Sequence, residues 1–114
     1  MKYALLIYSN EARDEFDRLS PEKQQAVLGE YFAISELPGT YGGAQLQPTS
    51  TATTVRVENG ETLTTDGPFT ETKEALGGFY LFEADDLDGA LEVAARVPAA
   101  RMGGSVEVRP LVER

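Results

Sequence analysis

Apolar and polar positions along this chain follow two rhythms. At the start, Tyr3, Leu5 and Ile7 alternate with Ala4, Leu6 and Tyr8, which predicts a strand over 2–8 that is apolar on both faces. The rhythm then lengthens. Val27, Leu28, Tyr31, Ile34 and Leu37 recur at helical spacing, behind Ser20 as N-cap, Pro21 at the first helical position and Glu22 in the first turn. A helix over about 21–36 follows, stopped by Pro38-Gly39, and a short extended segment over 41–46. Gly78-Phe79-Tyr80-Leu81-Phe82-Glu83 reads as a strand by its aromatic content, again two-sided, with Phe79 and Leu81 against Tyr80 and Phe82. Leu87, Ala90, Leu91 and Ala94 form an apolar stripe that predicts a second helix, capped by Asp85 or Asp86 and ended by Pro98. Gly103-Gly104 reads as a loose turn into a last strand, Ser105-Val106-Glu107-Val108-Arg109, which alternates strictly as an edge strand should.

Between the extended segment and the aromatic strand lies a hairpin, with Thr53–Val57 and Thr62–Thr65 flanking Asn59-Gly60. A two-residue turn at Asn59-Gly60 pairs Glu58 with Glu61 and sets Leu63 on the face opposite Val55 and Val57. A three-residue loop with Gly60 left-handed pairs Val55 with Leu63 instead, and this second register is the one expected because it gathers the apolar residues on one face.

The element order is strand, helix, strand, hairpin, strand, helix, strand. Without the hairpin it is the split β-α-β, ferredoxin-like α+β pattern, with the first and third main strands central. Two helices cover one face of such a sheet, yet both central strands are apolar on both faces. An uncovered apolar face is rare on soluble monomers, so a second copy is expected to stack its sheet opposite, giving a two-fold homodimer. The alternative is that the hairpin folds back over its own sheet.

Composition narrows the chemistry. The 114 residues make one domain, 1–114, and contain no Cys and no His. Disulfides, thiol nucleophiles, Ser-His-Asp and Cys-His catalysis are therefore excluded within one chain, and no metal site or cofactor motif is legible. A net charge of −9, with the basic residues scattered, argues against nucleic acid and anionic membrane surfaces as partners. No apolar stretch is long enough for a membrane span or an export signal, so the cytoplasm is the expected location.

Several segments, taken in order, carry a resemblance. These are the opening Met1-Lys2-Tyr3 with Leu6-Ile7-Tyr8, Gly42-Gly43 to Gln47-Pro48, and Thr51–Arg56. They continue with Thr65-Asp66-Gly67-Pro68-Phe69, Glu71-Thr72-Lys73-Glu74, Gly77–Leu81, Pro98–Arg101 and Ser105–Pro110. Over essentially its whole length the chain resembles the YCII-related family of the Asp-Gly-Pro-Phe type. The resemblance implies a dimeric α+β barrel of ferredoxin-like subunits, a largely unassigned function, and a genomic setting beside or fused to sigma factors of the extracytoplasmic-function type. A His–Asp pair has suggested catalysis in the simpler branch of the family; with no His here, that proposal does not carry over.

The residues offer two readings of function. In Asp66-Gly67-Pro68-Phe69, Asp66 is either a turn residue accepting backbone N–H groups or a carboxylate at a cleft rim. Glu71 and Lys73 follow, and if they converge with Asp66 and Arg101 they set two carboxylates beside two cations. With Tyr8 and Tyr41 lining a cavity, such a cluster suits a small polar or anionic ligand held by Lys73, Arg101 and the two tyrosines, which would make the protein a binding or regulatory module. The other reading is a cofactor-free enzyme in which Asp66 or Glu71 is the base and Arg101 or Lys73 the electrophilic partner, for proton transfer or addition–elimination on a small polar substrate.

Overall fold

The computed structural model describes residues 1–11, 14–68 and 72–113. Glu71 and Phe69, both of interest from the sequence, lie outside the described residues.

The chain folds as β1 (Lys2–Ser9), α1 (Pro21–Ser35), β2 (Thr40–Gln45), β3 (Thr53–Glu58), β4 (Glu61–Asp66), β5 (Ala75–Glu83), α2 (Leu87–Ala94) and β6 (Ser105–Pro110). β2, β5, β1 and β6 pair in that order into a four-stranded antiparallel sheet, while β3 and β4 form a separate two-stranded sheet. The central strands are β1 and β5, as their two-sided apolarity requires, and this is the ferredoxin-like α+β arrangement. Local signals set the helix ends. Ser20 Oγ accepts from Lys23 N ahead of Pro21, and Asp86, rather than Asp85, caps α2 by accepting from Gly89 N.

Both helices lie on one face, α1 over β2 and α2 over β6. Under them Tyr3, Leu5 and Ile7 of β1 meet Tyr80 and Phe82 of β5, closed by Ile34, Ala90, Val93, Ala94, Val97 and Ala99. In α2 the buried residues are Ala90, Val93 and Ala94, whereas Leu87 and Leu91 of the expected stripe are 47% and 45% exposed. The helix presents its small residues to the sheet and packs close. Tyr80 reaches through this layer, and its hydroxyl donates to the Tyr31 carbonyl at 2.8 Å.

The hairpin differs from expectation twice. Its register pairs Glu58 with Glu61 and Arg56 with Leu63, so the three-residue loop is corrected to a two-residue turn. Asn59 and Gly60 have φ of 50° and 79°, the left-handed pair whose twist matches that of the strands. Apolar matching loses because neither hairpin face is buried: Val55, Val57 and Leu63 are 59%, 67% and 42% exposed. Nor does the hairpin fold back over its sheet. It stands out as an arm, and the radius of gyration is 16.0 Å, against about 13 Å for a compact domain of this length.

Among the described residues no element covers the opposite sheet face. It presents Ala4 and Leu6 of β1 beside Phe79 and Leu81 of β5, with Ser105, Glu107 and Arg109 of β6 along the margin.

Candidate functional site

At one end of this open face the pairing is interrupted. Ile7 faces Gly78 but Tyr8 faces Leu76, so Gly77 is an extra residue in β5. Such a bulge turns the strand locally and re-aims the neighbouring side chains. On its other side Tyr8 is opposite Ser105. Beyond that pair a cleft of about 380 Å³ opens, lined by Tyr8, Glu74, Ser105, Val106 and Glu107.

The approach to the cleft is built on close backbone contact. Gly104 N donates to Ala99 O at 2.9 Å. A Cβ at Gly104 would lie inside van der Waals contact with the Tyr8 carbonyl oxygen. Gly103-Gly104 is thus a tight crossing rather than the loose turn expected. Ser105 Oγ donates to Glu74 Oε2 at 3.2 Å, and Glu107 is ion-paired with Arg109 two residues along the same strand face. Glu74 is exposed, and the serine occupies one of its oxygens. The cleft therefore offers a phenol, a serine hydroxyl and an acceptor-rich carboxylate.

The residues singled out from the sequence are spread over the fold. Tyr8 lines the cleft, while Tyr41 is 46% exposed with the Lys2 ammonium 5.4 Å from its ring centroid. Lys73 is exposed one residue before Glu74. Asp66 is exposed at the base of the arm, where the closing bonds are Gly67 N to Ala52 O at 2.6 Å and Thr54 Oγ1 to Gly67 O at 2.8 Å. Arg101 pairs with Glu30 of α1 at 2.5 Å. Among the described residues no ion pair joins Asp66, Lys73 and Arg101.

Two other polar features lie outside the cleft lining. Glu11 accepts from both Thr49 N at 3.0 Å and Thr49 Oγ1 at 2.7 Å. These bonds hold its carboxyl below the usual carboxylate range. They strap the chain leaving β1 to the segment that leads into the arm. Burial pushes the Tyr31 phenol up, and burial, with Tyr31 nearby, pushes Tyr80 up to about 12, which marks both as packing residues. Among the described residues no group of three or more acidic side chains is placed to hold a metal ion. No helix among them is long and apolar enough to cross a membrane.

Sequence reasoning named Tyr8 but not its companions. Ser105 and Glu107 read only as the polar face of an edge strand, and Glu74 only as the end of the Glu71-Thr72-Lys73-Glu74 segment. Their meeting depends on the β1–β6 register and on the Gly77 bulge, which no local pattern announces.

The chain is 41% identical over 116 residues to an uncharacterised protein of Rhizobium meliloti (strain 1021), a match covering 97% of this chain and 92% of that one. The family model for the YCII-related domain matches residues 1–114. A match spanning the whole chain, on a fold with the expected strand order, places this protein in the YCII-related family.

Proposed function

We propose that two copies stack through their open sheet faces and that each then holds a small polar molecule in the cleft at Tyr8, Glu74, Ser105 and Glu107. The observation that carries this reading is the coincidence of the two features. Tyr8, Ser105 and Glu107 belong by register to the same uncovered face as Leu6 and Phe79. A second sheet laid over that face shields the apolar residues and roofs the cleft, which excludes water and strengthens every polar contact inside.

The chemistry of the lining selects the ligand. With Glu107 neutralised by Arg109, the unneutralised charge is Glu74, beside two hydroxyls. An amine, a guanidine or a polyol, each a hydrogen-bond donor, suits this set better than an anion, because the Arg101 that an anion needs is engaged by Glu30. The reading is of a cytoplasmic binding module, with the sigma-factor setting of the family pointing to regulation.

Thermal unfolding in the presence of millimolar amines, guanidines, polyols, dicarboxylates and sugar phosphates tests it. A ligand at about 100 times its Kd adds about 2.7 kcal/mol, enough to raise Tm by roughly 10 °C in a domain of this size. A donor-rich compound is expected to give the shift, and Glu74→Gln or Tyr8→Phe to abolish it. A shift given by anions alone, or one that survives both substitutions, overturns the assignment.

A further inference from the structure

The arm has a sidedness that the isolated subunit does not use. In the observed register Thr54, Arg56, Glu58, Glu61, Leu63 and Thr65 share one face, while Val55, Val57, Thr62 and Thr64 share the other. Every charge between Thr54 and Thr65 is thus on one side, and the other side carries two valines and the methyl groups of two threonines. Asp66, opposite Thr53, lies at the base of that uncharged side. A polar–apolar alternation of this kind belongs to a strand that is buried on one face. Yet Val55 and Val57 are 59% and 67% exposed, and β3 and β4 pack substantially only on each other.

We propose that the uncharged face of the arm closes on a second copy of this chain, so that each subunit is clasped by the other's hairpin. The inference rests on the face-to-face dimer above and goes further, because it assigns the arm a partner. Area supports it. The four-stranded open face, with strands about 4.8 Å apart and about 3.3 Å per residue, has a footprint of roughly 400 Å². A standard interface buries about 800 Å² of accessible surface per partner, and a flat footprint of this size, even with the relief of its side chains added, sits at the low end of that class. One arm face adds roughly 200 Å² of footprint, counted once where a subunit gives its arm and once where it receives its partner's, which brings the contact well inside the class.

Reach supports it as well. The molecule measures 45 × 43 × 19 Å with a radius of gyration of 16.0 Å, so the arm stands clear of its own core, where a second copy can meet it. The root of the arm is held for the purpose, by Gly67 N on Ala52 O at 2.6 Å and by the Glu11–Thr49 strap.

The absence of cysteine gives a clean test. Single variants Val57→Cys, on the uncharged face, and Glu58→Cys, on the charged face, are labelled with a maleimide across a range of protein concentration, with sedimentation velocity reporting assembly. In the dimer, labelling at Val57→Cys is expected to slow at least tenfold relative to the diluted monomer, while Glu58→Cys labels equally fast in both. Equal labelling of both variants in a demonstrated dimer overturns the clasp and leaves the stacked sheets standing. Protection of Val57→Cys that persists in the diluted monomer also overturns it, since the arm then folds on its own chain. A 12.4 kDa particle at every concentration removes the dimer and the clasp together.

Discussion

At Gly104 the chain passes between the carbonyl oxygens of Tyr8 and Ala99 with room for a hydrogen atom and nothing larger. Gly104→Ala must push β6 away from the end of β1, moving Ser105 and Tyr8 apart at the cleft. A loss of about 1–3 kcal/mol is expected, the usual cost of overpacking, read as a lowered Tm. Gly103→Ala, strained by its φ of 85°, should cost about 1–2 kcal/mol without crowding Tyr8. Tyr80 gives a second test. Its phenol titrates near 12 when folded, above the ordinary value of about 10. The folded state therefore favours the neutral phenol, so this contribution is whole below pH 10 and is lost as pH rises from 10 through 12. Tyr80→Phe should cost about 1 kcal/mol at neutral pH, by deleting the bond to the Tyr31 carbonyl, and should flatten the fall in stability between pH 10 and 12 in denaturant titrations. A slope unchanged by the substitution would mean that another group governs alkaline unfolding.

Elements were legible where their signals are local and less so where partners decide. Ser20-Pro21-Glu22 marks the start of α1 because a cap acts within one turn, and Pro21–Ser35 agrees with the spacing of Val27, Tyr31 and Ile34. The sequence left Asp85 and Asp86 as equal candidates for the α2 cap; geometry distinguishes them, since Asp86 Oδ1 lies 2.9 Å from Gly89 N. Asp86→Ala should accordingly cost about 1 kcal/mol in urea unfolding, while Asp85→Ala stays within about 0.5 kcal/mol. Equal losses would show that α2 starts one residue earlier. The hairpin register departs from apolar matching for a physical reason. Matching Val55 to Leu63 assumes a buried face that rewards apolar pairing, and among the described residues nothing buries either face of the arm, so the turn chemistry of Asn59-Gly60 prevails. The cleft was legible only in Tyr8, because Glu74 and Ser105 are 31 positions apart and meet through strand pairing alone.

For the whole molecule, charge and apolar surface act in opposition. Each chain carries −9, and the open face is apolar at Ala4, Leu6, Phe79 and Leu81, with Glu107 and Arg109 neutralising each other at its margin. Two such slabs attract through burial, at roughly 25 cal/mol per Å² of apolar surface, and repel through their net charge. Added salt screens only the repulsion, since the Debye length shrinks from about 30 Å at 0.01 M to about 8 Å at 0.15 M. The proposed dimer should therefore tighten as sodium chloride rises over that range, by a fewfold in the dissociation constant from sedimentation equilibrium. An interface built instead on reciprocal ion pairs between Glu107 and Arg109 of facing subunits has the opposite dependence. Phe79→Lys separates the two further, because a charge at the centre of the open face should yield a monomer at every salt concentration and leave the helix-covered core intact by circular dichroism. Association that weakens with salt, or that survives Phe79→Lys, places the contact on some other surface than the open sheet.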